Sequence, residues 1–112
     1  MTDRLSPAEV AELFRLDEAT GRVYFRPRAR RWFKSDQSCN TWNSRFAGQE
    51  TFTFFDEAKR EFTGCIFGKT VRRAMVAYCL AFGHWPAHRV GFYDDDKTNT
   101  RPDNLLAVRK RK

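Results

Sequence analysis

The chain has 112 residues and a formal net charge of +7, from 21 Lys plus Arg against 14 Asp plus Glu. A hydrophobic fraction of 41% and an aromatic fraction of 15% argue against a disordered chain and predict one compact domain, residues 1–112. A pI near 9.8 makes nucleic acid the first partner to consider; no apolar stretch reaches the length of a membrane helix.

Cys39, Cys65 and Cys79 form no CxxC pair and no Cys/His spacing suited to zinc. Their odd number suits a reducing compartment. The opening MTDRLSPAEV lacks the apolar core of a signal peptide. The expected location is therefore the cytoplasm.

In chain order, Ser6-Pro7-x-Glu9 is a capping box with Pro at N1, and Leu5 and Val10 can form a hydrophobic staple. These predict a first helix that stops near Leu16 or Asp17. Residues 17–21 then form a turn, with Gly21 free to take positive φ. Arg22–Arg26 alternates like a half-buried strand.

A basic stretch follows, Arg26, Arg28, Arg30, Arg31 and Lys34, with Trp32 and Phe33 inside it and no acid from Arg22 to Ser35. Basic residues interleaved with aromatics suit phosphate contact with stacking or groove insertion. A charged surface loop anchored by its aromatics fits equally. Residues 35–50 read as a polar, turn-rich segment with Trp42 and Phe46 as isolated anchors.

Residues 51–55 and 61–67 predict two antiparallel strands, with Gly64 marking a bulge and Gly68-Lys69 a turn. Thr70 can cap a central buried helix running to Phe82, with Gly83 at C′ and Pro86 confirming the stop. Arg72 and Arg73 sit at its start, the unfavourable end for a cation, which fits either an anion contact or plain exposure.

Residues 90–93 predict a short strand. Asp94-Asp95-Asp96 forms an acidic turn, Thr100 caps a last helix carrying Leu105, Leu106 and Val108, and Arg109-Lys110-Arg111-Lys112 is a basic tail. The organisation is thus a helix plus strand (1–26), a basic and polar loop region (27–50), a core (51–108) and the tail (109–112).

No phosphate-binding glycine loop, HExxH or nucleophile elbow is present. His84 and His88 flank Trp85-Pro86, and a metal pair there would need further ligands close by.

The Leu5 to Phe25 element, ending Asp17-Glu18-Ala19-Thr20-Gly21-Arg22-Val23-Tyr24-Phe25, the strand carrying Gly68-Lys69 with the helix after it, Gly83-His84-Trp85-Pro86, and Thr98 to Leu105 together resemble the HNH homing endonucleases of phage and intron type. The resemblance covers most of the chain outside residues 27–60. It implies an α+β fold with a ββα-like core, and a carboxylate, an amide and a general-base histidine around one divalent ion. In this chain the metal-binding Asp falls on Gly91 and the general-base His on Phe92. The middle Asn falls on Thr100, and only the last Asn is kept, as Asn104. Asp96 matches the Asp of the family's turn.

The expectation is a small α+β domain with a degenerate HNH core, no catalytic residue, and no cofactor. Its predicted activity is non-catalytic binding of double-stranded DNA through Arg26, Arg28, Arg30, Arg31, Trp32, Lys34, Arg72, Arg73, Arg101, Arg109 and Lys110. Two alternatives stand beside it. One is a protein-interaction module acting on a host enzyme. The other is a divergent nuclease using Mg or Mn held by Asp94, Asp96 and Asn104, with His88 nearby.

Overall fold

The structure, a computed structural model, describes residues 5–108. The capping box forms as the sequence dictates: Glu9 N–H donates to Ser6 Oγ, and Ser6 N–H donates to the Glu9 carboxylate. Helix α1 (Pro7–Leu13) buries Val10 and Leu13 and stops there. Its expected extension is instead strand β1 (Phe14–Asp17), paired antiparallel with β2 (Arg22–Phe25). Val10, Leu13 and Phe14 have helical spacing, but Phe14 and Leu16 also alternate. The tight turn at 17–21, with Gly21 at φ +77, brings β2 alongside and decides for the strand.

Residues 35–50 are not a loop. Helix α2 (Asp36–Phe46) is capped by Ser35, whose side chain accepts from Ser38 N–H. The apparent single strand at 51–55 is split at Phe52, which takes φ +59. Before the break, β3 (Glu50–Thr51) joins β2; after it, β4 (Phe54–Asp56) joins β5 (Glu61–Ile66), which pairs in turn with β6 (Lys69–Arg72).

Gly64 does not mark a bulge, because the β5–β6 register runs unbroken through Gly64↔Val71. It makes room for the buried Phe52 ring: a Cβ at Gly64 would lie 2.5 Å from Phe52 Cδ1. The absence of a side chain on β5 and the left-handed backbone at Phe52 are one packing solution.

Helix α3 (Arg73–Phe82) is the centre of the fold and ends on Gly83 in the left-handed conformation. It starts later than Thr70, because β6 runs on to Arg72. One side carries Val76 and Cys79 into a cluster with Val10, Leu13, Phe14, Val23, Phe52 and Ile66. Another side carries Ala74, Ala77 and Tyr78 against Leu105, Phe92 and Val90. Its small residues let a hairpin approach closely.

That hairpin is β7 (Arg89–Phe92) with β8 (Leu105–Val108), in register Gly91↔Leu106 and Phe92↔Leu105. The expected last helix is absent: only a 3-10 turn forms at Pro102–Asn104, and β8 follows. Leu105 is in register opposite Phe92, and the two share the cluster against α3. Strand pairing therefore overrides the capping signal at Thr100. The hydroxyl of Thr100 is used elsewhere, donating to Gly21 O at 2.6 Å and tying this loop to the β1–β2 turn.

The result is a small mixed α+β domain with three α-helices and three antiparallel sheets among the described residues. Among the same residues no helix is long and apolar enough to cross a membrane.

Candidate nucleic-acid interface

Two places inherit the sequence's functional signals: the loop between β7 and β8, and the basic stretch with α2. The β7–β8 loop is closed by an amide–carboxylate clasp. Asn104 is buried. Its Nδ2 donates to Asp94 Oδ1 at 2.9 Å and to Asn99 O at 2.8 Å, while its Oδ1 accepts from Asp94 N–H at 3.1 Å. The Asp94 carboxylate also accepts from Asn99 Nδ2 and from Asp96 N–H. These donors, Asn99 first, hold its pKa below the ordinary carboxylate range. Asp96 turns to Thr98, accepting from both its N–H and its hydroxyl.

This arrangement does not fit a divalent ion. The Asn104 amide and the Asp94 carboxylate are engaged with each other, and Asp96 faces its own turn. Gly91 supplies no ligand, and Phe92 packs against α3. Among the described residues no three His, Cys, Asp or Glu side chains converge on one point. His84 Nδ1 lies 3.1 Å from Trp85 O, within its own turn, and His88 is exposed.

The two arginines at the start of α3 both have partners within the fold, Arg72 from an exposed position and Arg73 from a buried one. Arg72 pairs with the buried Glu61 at 3.1 Å. Arg73 is 5% exposed, lies over the Phe62 ring at 4.3 Å and donates to Thr98 O at 2.6 Å, strapping the β7–β8 loop to the helix. Burial, then the neighbouring Arg22, push its pKa down, against the pull of Glu50. Arg73 therefore has almost no surface to offer a phosphate. Arg101 is exposed, 3.9 Å from Asp103 and on the acidic loop. Arg109 and Lys110 lie outside the described residues.

The basic stretch is different. Residues 19–49 contain seven Lys or Arg (Arg22, Arg26, Arg28, Arg30, Arg31, Lys34, Arg45) and a single acid, Asp36. Asp36 already pairs with Arg30. Arg30 also donates to Phe33 O and Lys34 O, which folds the stretch into a 3-10 turn (Arg30–Trp32) and a cap. Asn43 of α2 holds the Arg28 backbone at both ends, accepting from its N–H at 2.8 Å and donating to its C=O at 3.0 Å.

An aromatic framework carries these cations. The Arg28 guanidinium lies 4.0 Å over Trp42 and 5.2 Å from the Phe67 ring, and its burial pushes its pKa down. Trp42 packs edge-on to Phe25 and beside Phe33 and Phe46. Arg45 lies over Phe46. Cation–aromatic pairs of this kind are each worth ~0.5–2 kcal/mol, and they hold charge at fixed points on the surface.

Trp32, expected to insert or stack, is already occupied. It stacks on Phe67 (centroids 5.6 Å, 17° between planes), donates its indole N–H to Glu12, and carries Arg31 over its ring. Arg31 also pairs with Glu12. Arg26, Lys34 and Arg45 are exposed and, among the described residues, have no carboxylate within ion-pair distance.

The sequence reading missed α2 and therefore Arg45, Trp42 and Phe46 as one surface. Cys39, Trp42 and Phe46 are spaced by three and four, behind a Ser-Asp helix start, and that was the available signal.

No family model, no curated protein and no solved structure matches this chain.

Proposed function

We propose that the protein binds double-stranded DNA without cleaving it, on a domain whose β7–β8 hairpin is a degenerate HNH core of the phage and intron type. The observation that carries this reading is the charge asymmetry of residues 19–49, seven cations to one acid; Arg28, Arg31 and Arg45 lie over aromatic rings, and Arg22 pairs with Glu50 just beyond the segment. Phosphate contacts supply most sequence-independent affinity for DNA. The absence of a cleavage step rests on Gly91 and Phe92 and on the mutual bonding of Asp94 and Asn104.

Three or four contacts from Arg26, Lys34, Arg45 and Arg31 give a salt slope of about −2.7 to −3.6. Affinity for random duplex should then fall ~40- to 150-fold between about 50 and 200 mM salt. Plasmid incubated with magnesium or manganese should stay supercoiled. Salt-independent binding, or nicking that co-purifies with the protein, would overturn the reading.

One observation favours a second reading, docking on a protein. Phe54, 70% exposed, and Phe55 lie on the edge strand β4, where another chain can pair. Weak DNA binding with stoichiometric retention of a host enzyme would support it.

A further inference from the structure

The framework that carries the cations leaves an open groove along α2. It is lined by Phe33, Trp42 and Phe46, with Gln37, Ser38 and Thr41 between them and Arg45 beside Phe46. Its volume is about 410 Å³, within the roughly 300–1,000 Å³ of small-ligand sites.

A paired duplex does not need such a groove. Its bases are stacked inside, and its phosphates are met by cations on a surface. Aromatic rings lining a groove with a cation beside them suit a flat, unstacked base and its phosphate; here the rings are Phe33, Trp42 and Phe46 and the cation is Arg45. The only acid in residues 19–49, Asp36, is neutralised by Arg30, so the local field favours a polyanion. Gln37, Ser38 and Thr41 add donors and acceptors for a base edge.

We infer that the α2 groove holds unpaired bases of single-stranded DNA, stacked on the exposed Phe46 ring beside Trp42, one face of which Arg28 already covers, so that the protein prefers junctions where duplex opens into single strand. This rests on the proposed DNA binding but goes beyond it, because duplex affinity alone requires only the cations.

The test compares three probes in fluorescence anisotropy: a blunt duplex, the same duplex with an unpaired thymidine tail of about ten nucleotides, and the tail alone. Polyglutamate serves as competitor. The tailed duplex is expected to bind roughly tenfold or more tightly than the blunt one, since each stacked base is worth about 5- to 150-fold. Phe46→Ala should remove most of that preference. Thr41→Glu, at an exposed groove position, should remove it with no change in the core, which guards against misfolding of the Phe46 variant.

Equal binding of blunt and tailed duplex overturns the inference and leaves the duplex reading standing. Binding of the tail but not the blunt duplex supports the inference and overturns the duplex reading. Binding to neither overturns both. Displacement of the tail by polyglutamate as readily as by thymidine oligomer overturns stacking in favour of charge alone.

Discussion

Replacing Asn104 with alanine would open the β7–β8 loop at its clasp. The wild-type amide makes three hydrogen bonds, two to Asp94 and one to Asn99 O, from a side chain that is 6% exposed. At ~0.5–1.5 kcal/mol each, their loss comes to about 1.5–4.5 kcal/mol. Water can reach the Asp94 side of the exposed loop, which favours the lower half, about 1.5–3 kcal/mol. In a domain of this size that is a fall in Tm of ~6–20 °C, readable by circular dichroism. Asn104→Asp should be worse at neutral pH, since it sets a second carboxylate against Asp94, and should recover in acid. A metal-holding role would give the opposite result, with Asn104→Asp stabilised by magnesium. A change in Tm below about 2 °C for Asn104→Ala would refute the clasp.

The same clasp sets a pH dependence. The Asp94 carboxylate is held low in the folded state, so its contribution is complete above the unfolded value of about 4 and is lost as pH falls through the folded one. Acid titration of stability should therefore show less loss in Asn104→Ala than in wild type. Gly64→Ala should drive a methyl into Phe52 and cost ~1–3 kcal/mol, measured by urea denaturation; a neutral result would mean Phe52 has room to move. Installing the catalytic pair of the HNH nucleases that the sequence resembles, as Gly91→Asp with Phe92→His, should not create metal-dependent nicking. The added side chain at 91 meets Val108 Cγ2 at 2.6 Å, and residue 92 faces α3. Nicking by that double variant would show the site to be intact but for two side chains.

Local signals read correctly where one interaction decided the geometry. The Ser6–Glu9 box, the Gly21 turn, the Arg22–Phe25 strand and the Gly83 stop all depend on neighbours in sequence. Readings failed where pairing with another element decided. Phe14–Asp17 is a strand because β2 folds back on it, and Leu105–Val108 is a strand because Phe92 and α3 need its apolar residues. The break at Phe52 is invisible without Gly64 beside it. At the candidate interface, the charge of Arg26 to Lys34 was legible, but its organising scaffold was not. Helix α2 is rich in Ser, Asn, Thr and Gln, weak helix formers except Gln, and only tertiary packing of Trp42 and Phe46 shows it to be a surface. Arg73 was legible as a cation in an odd place, and its burial against Phe62 and Thr98 explains that place.

On the proposed reading, DNA affinity lies in the face built from residues 19–49 and not in net charge alone. Two double variants with the same change in charge separate these: Lys34→Glu with Arg45→Glu on that face, and Lys59→Glu with Arg89→Glu at exposed positions elsewhere. Duplex affinity and its salt slope should be measured for both at matched ionic strength. The first pair is expected to lose most of the affinity and to flatten the slope by about two, while the second stays near wild type. Equal losses from both pairs would contradict it.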